Sequence, residues 1–246
     1  MSDEAPPRRA SPLRPYDVDT VALLEALPPA HGEDVVQLVR ERDNLFLLHH
    51  ALLDAERART LEGQLRVFVS AIARVGFGRV ALVVRDAAMA PTLVVAAGLS
   101  DEEERSLGDD PAASGERWRR RLADDARELE RFRLGGTAYY LDGRDEWVAR
   151  EFGRGAVRSA LSIADSDDPE WSPRDLLLLP LRAGDGRLLA TLCLDDPEDR
   201  RRPTLTRVRT VELFGRQVAR FIEQAQLVAV ATRRAERLQL LHEVWS

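Results

Sequence analysis

The sequence predicts a mixed α/β (α+β) fold: one antiparallel sheet of five or six strands, flanked by helices, with a long helix at each end. Three observations carry this expectation. Apolar runs on both sides of the turn Ala183-Gly184-Asp185-Gly186 read as a buried hairpin with Asp-Gly at its tip. A second strand pair stands earlier, at Arg79–Val84 and Thr92–Ala97. Stretches with helical spacing of apolar residues precede and follow the strands.

Taken in order, residues 1–15 are rich in proline and arginine and are expected to be a disordered tail. Residues 16–59 read as a helical segment. A short amphipathic helix runs from Asp17 to Leu27 and stops at Pro28-Pro29. A long helix then covers Glu33–Thr60. Val35, Leu38, Leu45 and Leu52 share one of its faces, with Val36, Val39, Phe46 and Leu53 beside them, a stripe wide enough for two partners. Thr60 is placed to cap a helix over Leu61–Val75, which carries Leu65, Phe68, Val69 and Ile72 and ends at Gly76 and Gly78.

Strands near 79–85 and 92–98, joined by the loop Asp86–Pro91, form a hairpin. Ser100 followed by Asp101, Glu102 and Glu103 is a capping signature that opens a short helix. A helix over Ser114–Phe132, a short strand over 136–141 and a helical turn at Glu146–Phe152 follow. Residues 163–173 are polar and acidic and read as loop. The strands at 175–182 and 187–195 are the clearest pattern in the chain, and Leu178 and Leu192 are expected in its core.

The last helix, Leu205–Val244, contains no proline and one glycine, Gly215. At about 1.5 Å per residue it spans about 60 Å. A domain of about 150 residues is only about 35–40 Å across, so the helix must overhang it. Val211, Phe214, Val218, Phe221, Ala225 and Val228 form a 3-4 repeat, continued with a phase shift by Ala231, Ala235, Leu238 and Trp245. The simplest partner for that stripe is a second copy of the chain. A parallel homodimer built from residues 33–58 and 206–245 is therefore expected, with Val211, Phe214, Val218, Phe221 and Val228 at its interface; an antiparallel packing stays open.

Composition narrows the function. All 36 basic residues are arginine, so no lysine is present to form a Schiff base or to serve a phosphate-binding P-loop. The net charge of −6 does not suit nucleic acid, and the runs Arg119–Arg121 and Arg200–Arg202 are flanked by acids. The single cysteine, Cys193, allows no disulfide within the chain. No apolar run reaches the roughly 18 residues of a membrane span, and the acidic, proline-rich start has no signal-peptide core, so a cytoplasmic protein without membrane partners is expected. His49 and His50 point about 100° apart on a helix and make no metal face. The run Asp195–Asp199 lacks the glycine and terminal glutamate of a calcium loop. No hydrolase, metalloprotease or dinucleotide pattern occurs, so no catalytic residue, no metal and no enzymatic activity are expected.

The order of elements, together with the text of Trp171–Pro203, resembles bacterial GAF domains. The shared features are an apolar strand ending Pro180-Leu181, an Asp-Gly turn and a strand ending Asp195-Asp196-Pro197. An apolar helix from Glu212-Leu213-Phe214 to Phe221-Ile222-Glu223 follows them. The resemblance covers residues 60–226 and implies that 227–246 is a signalling or coiled-coil extension. It implies a sensory or regulatory module whose middle segment closes over one face of the sheet. Pocket candidates are Tyr139, Tyr140, Trp147, Phe152, Trp171 and Cys193, the aromatic rings either stacking on a planar ligand or filling the space. The lysine-containing motif of cyclic-nucleotide GAF domains is absent, as is the Asp-Ile-Pro of phytochromes. Methionine sulfoxide reductases of this kind need more than one cysteine. The cofactor therefore stays unassigned. The alternatives are a dimerisation and docking scaffold with a filled pocket, and a redox role for Cys193.

Overall fold

The apolar runs of the sequence become five strands: β1 (Phe77–Arg85), β2 (Pro91–Ala97), β3 (Tyr139–Leu141), β4 (Leu176–Arg182) and β5 (Leu188–Pro197). They pair antiparallel in one sheet of order β2-β1-β5-β4-β3, which puts the second strand of the Asp-Gly hairpin at its centre. The computed structural model describes residues 29–109, 115–122, 127–152 and 171–244. By internal contacts the chain divides into two units, residues 1–42 and 43–246. In the first, the described residues are helical.

Helix α1 covers Pro29–Arg57, and α2 (Leu61–Ala73) begins where Thr60 accepts a hydrogen bond from Gly63 N at 3.1 Å. Then come α3 (Asp101–Asp109), α4 (Gly115–Arg121), α5 (Arg127–Glu130), α6 (Glu146–Phe152) and α7 (Leu205–Val244). The capping box of α3 is complete: Glu103 N donates to Ser100 Oγ at 3.3 Å and Ser100 N donates to Glu103 Oε2 at 2.8 Å. The stretch read as one helix over 114–132 is two, α4 and α5, with 123–126 outside the described residues. The expected helix at 17–27, the tail 1–15, most of the loop at 163–173 and Trp245 also lie outside them.

Residues paired across antiparallel strands share a face, and successive residues alternate between faces. Val80, Leu194 and Leu177 therefore form one row, Leu82, Leu192 and Leu179 the next, and Val84, Ala190 and Leu181 a third. This first face packs on α2 and α7 through Leu65, Phe68, Ile72, Val208, Val211, Phe214, Val218 and Ile222. The Phe68 ring meets Phe214 and Phe221 edge-on, at 5.2 and 5.1 Å. Leu178, on the opposite face, and Leu192 are both fully buried. Gly215 of α7 sits against β4, where a Cβ would stand 3.0 Å from Leu181 Cδ2.

Two stripes are used differently from the sequence reading. On α1 the buried residues are Leu48, Ala51 and Ala55, and the broader stripe of Leu45, Phe46 and Leu53 faces solvent, as does Leu38. The two alanines allow close approach, which the leucine side does not. On α7, Val211, Phe214 and Val218 are spent on the domain's own core rather than left for a second subunit, and Phe221 is half-buried against it. Of the five residues expected at an interface, Val228 alone is exposed. Every residue from Leu227 to Gln239 is exposed. Strand β3 is also shorter than expected. Gly135 has φ +99°, and the N–H groups of Thr137 and Ala138 turn to the carboxylate of Glu212 on α7, at 2.5 and 2.9 Å, instead of joining a ladder.

Candidate functional site

The second face of the sheet carries Ala81, Val83 and Arg85 from β1, Thr191 and Cys193 from β5, and Leu178 from β4. Its cover is a separate apolar cluster in which Met89, Trp118, Leu122, Leu129, Val148 and Phe152 pack on Tyr139, Leu141, Leu178 and Leu188. Unlike the first face, this one holds two buried cations. Arg85 continues the inward alternation of β1 and is only 2% exposed. Its Nη1 donates to the carbonyl of Met89 at 2.9 Å, in the β1–β2 turn, and its guanidinium lies 4.6 Å from the centre of the Trp118 ring. Arg121, at the end of α4, is 6% exposed; its guanidinium lies 5.3 Å from the same ring and 4.4 Å from that of Phe152. Its Nε faces Glu151 Oε2 at 3.5 Å. The indole thus sits beside both guanidiniums, a favourable cation–π arrangement when water is excluded.

Burial is the main influence on both groups and pushes each guanidinium pKa down to about 10; Arg121 lowers Arg85 further, and Glu151 partly restores Arg121. Both remain charged at neutral pH. Cys193, on the central strand, has its thiol pushed up to about 12 by burial, against the pull of Arg85 and, more weakly, Arg121. At neutral pH it is a thiol and not a thiolate, so it lacks the nucleophilic form. Thr191, its neighbour on the same face, is fully buried, and its hydroxyl oxygen has no hydrogen-bond partner among the described residues.

The six residues singled out in the sequence do not form one pocket. Tyr139, Trp147, Phe152 and Cys193 belong to or pack on the second cluster. Trp147 stacks on Phe132 at 5.8 Å and meets Phe152 at 5.7 Å, and Phe152 meets Trp118 at 6.0 Å. The Tyr139 hydroxyl donates to Glu130 Oε1 and accepts from Arg133 Nη2, both at 3.0 Å. Tyr140 and Trp171 form a different group. The Tyr140 hydroxyl donates to Asp175, whose carboxylate also accepts from Ser172 N at 2.8 Å and Gly143 N at 2.9 Å. Trp171 Nε1 donates to Asp195 Oδ1 at 3.2 Å, and the two rings are 5.7 Å apart. This second group ties loops to the sheet. Sequence reading missed Arg85, Trp118, Arg121 and Thr191. The available signal was the arginine that ends the alternation Ala81, Val83, Arg85, an inward position normally apolar.

Glu212 is a further buried ionisable residue, 4% exposed. It joins α7 to the backbone just before β3 and lines a cleft of 330 Å³ with Arg133, Thr137, Tyr139 and Arg182. Among the described residues no group of His, Cys, Asp and Glu is arranged to hold a metal ion, and no helix is long and apolar enough to cross a membrane.

A family profile described as GAF domain matches residues 75–225, more than half of the chain. No curated protein matches it in sequence. Among solved structures it is similar to residues 122 to 287 of a methyl-accepting chemotaxis protein, with 16% identity over 72% of this chain and 98% of that one and a TM-score of 0.48. It is also similar to the GAF domain of Acinetobacter phosphoenolpyruvate-protein phosphotransferase, with 13% identity over 75% of this chain and 95% of that one and a TM-score of 0.47.

Proposed function

We propose that this chain, which belongs to the GAF domain family, is a sensory or regulatory module that dimerises through its terminal helices and passes a ligand or partner signal along them. The observation that carries this reading is the division of α7. Its first half is built into the core, through Val208, Val211, Phe214, Val218 and Ile222, so it feels the sheet. Its second half leaves the core, with Leu227, Val228 and Leu238 at least 60% exposed. Val228, Ala231, Ala235 and Leu238 follow one another at steps of three, four and three, the spacing of a two-stranded seam. Leu45, Phe46 and Leu53 of α1 add exposed apolar surface. Such residues in water favour a partner, and a second copy of the chain supplies identical stripes. The role is regulatory rather than catalytic, in the cytoplasm, and acts on a downstream protein or output domain. The packing of Phe132, Trp147 and Phe152 on one another favours a second reading, a docking scaffold whose pocket is filled.

Sedimentation velocity at tens of micromolar tests the dimer. The wild type is expected as a dimer and the double variant Leu227→Glu, Val228→Glu as a folded monomer. A monomeric wild type sinks the proposal. Val218 is not a useful site for this test, since a glutamate there would be buried in the core and unfold the domain.

A further inference from the structure

We propose that the cleft of 330 Å³ beside Glu212 binds a small zwitterion, an α-amino acid with an apolar side chain; this deepens the sensory reading and rests on it. The cleft lies at the edge of the sheet, where residues of both faces, Leu181 and Arg182 among them, line it. Trp118, Phe152 and Cys193, the cover and floor of the second face, do not. Strand β3 pairs only with Leu176–Leu178 of β4, so Leu179–Arg182 run on with no described strand beside them on that side. Helix α7 bounds this gap on one side, with Gly215 close against β4. The lead-in to β3 bounds it on the other, through Arg133 and Thr137.

Most polar groups of the cleft are spent on one another. Arg133 donates to Glu130 and to the Gly136 carbonyl, and the Tyr139 hydroxyl bonds to both Glu130 and Arg133. Two groups are not spent. Glu212 is 4% exposed, and its hydrogen bonds from Thr137 N, Thr137 Oγ1 and Ala138 N all arrive at Oε1. Its Oε2 accepts from no described residue and is open to a molecule the size of water. Arg216 stands one turn further along the same face of α7, its Cβ about 5–6 Å from that of Glu212. It is exposed, at the mouth of the cleft, and pairs with no described residue.

A buried acceptor and an exposed cation one helical turn apart match the two ends of an α-amino acid. The ammonium donates to Glu212 Oε2 and the carboxylate accepts from Arg216, both in charge-assisted bonds. Leu122, Leu179, Leu181 and Ala219 give the side chain an apolar lining. The charges exclude the simpler molecules. Three arginines face two glutamates in the lining, which disfavours a bare amine. A plain carboxylate leaves Oε2 without a donor and sets a like charge beside it. Both anchoring residues belong to α7, so the bound molecule bears directly on the helix that leaves the core.

Thermal unfolding of the full chain tests this, with L-valine, L-leucine and L-phenylalanine as probes. Isocaproate, which lacks the ammonium of leucine, and isoamylamine, which lacks its carboxylate, are the controls at equal ionic strength. At about ten times its half-saturating concentration, at least one amino acid is expected to raise the midpoint by roughly 3–6 °C, and each control by less than about 1 °C. Arg216→Gln, on the surface, should keep the fold and raise the half-saturating concentration by about tenfold. Glu212→Gln keeps an acceptor for the Thr137 and Ala138 N–H groups but removes the charge, and should abolish the response. No response to any of the three amino acids overturns the proposal, as does a control that matches them. A response that Arg216→Gln leaves unchanged overturns it as well. A wild type indifferent to amino acids, with a midpoint that falls on Arg216→Gln in plain buffer, would mean that Arg216 itself reaches Oε2, and is equally fatal. If Glu212→Gln does not fold, Arg216→Gln and the two controls decide the matter. Failure here would leave the sedimentation result untouched, so the binding claim and the regulatory reading fail separately.

Discussion

The two faces of one sheet are built on different principles. On the first, α2 and α7 bring leucine, valine and phenylalanine onto Leu82, Leu192 and Leu179, and the contacts are closed and apolar. On the second, short helices and turns bring Trp118 and Phe152 over the strands, and the same layer holds Arg85, Arg121 and a Thr191 hydroxyl that has no partner among the described residues. The first face buries apolar side chains alone, and the second buries charge among its apolar side chains. A strand alternates between them residue by residue, so neighbours such as Leu192 and Cys193 stand in different surroundings.

This contrast can be broken by substitution, beginning with the largest effect. Phe68→Ala empties the centre of the first face and should cost about 3–5 kcal/mol in urea unfolding; a loss under about 1 kcal/mol would remove the first face as the seat of stability. Glu212→Ala leaves the N–H groups of Thr137 and Ala138 without their acceptor and should cost roughly 3 kcal/mol, with Glu212→Gln milder because one oxygen remains.

Asp195 gives a test by pH. Burial raises its pKa to about 6, against the Trp171 and Asp196 donors that lower it. The unfolded value is about 3.9. The carboxyl therefore favours folding when protonated, a contribution fully present below pH 4 and lost as pH rises through 6. Asp195→Asn, neutral throughout and still able to accept from Trp171 Nε1, should match the wild type near pH 4 and exceed it by roughly 1–2 kcal/mol at pH 8. Equal pH profiles for the two proteins would show the group to be solvated. The smallest effect sharpens the comparison most. Cys193→Ala, one residue from Leu192, should cost less than about 1 kcal/mol, whereas Leu192→Ala should cost about 2–5 kcal/mol. Equal losses at the two positions would erase the distinction between faces.

What the sequence revealed follows the same division. The strands were legible because uninterrupted apolar runs flank an Asp-Gly turn, and Gly186 does adopt φ +88° there. The start of α7 was legible from Pro203-Thr204, and Thr204 Oγ1 accepts from Arg207 N at 3.2 Å. Helical spacing shows that a stripe is buried but not against what. Hence Val211, Phe214 and Val218 looked like a seam between subunits, although the sheet of their own domain covers them. The second face was less legible still. Its arginines come from a strand end and a helix end far apart in sequence; the alternation Ala81, Val83, Arg85 hints at one, and nothing local marks Arg121 as buried. Tyr140 and Trp171 looked like pocket residues by their type, and only the positions of Asp175 and Asp195 show them to be anchors.

Glu212 has a mechanical consequence. It pins α7 to the backbone before β3 at one point near the start of a 40-residue rod. Leu238 lies 26 residues further on, about 39 Å along the axis. A tilt of about 5° over that length carries Leu238 sideways by roughly 3 Å, on the order of half a helical turn's rise. A shift of β3 or its lead-in that tilted α7 against the core would therefore be felt at the exposed end as a displacement that grows with distance along the helix.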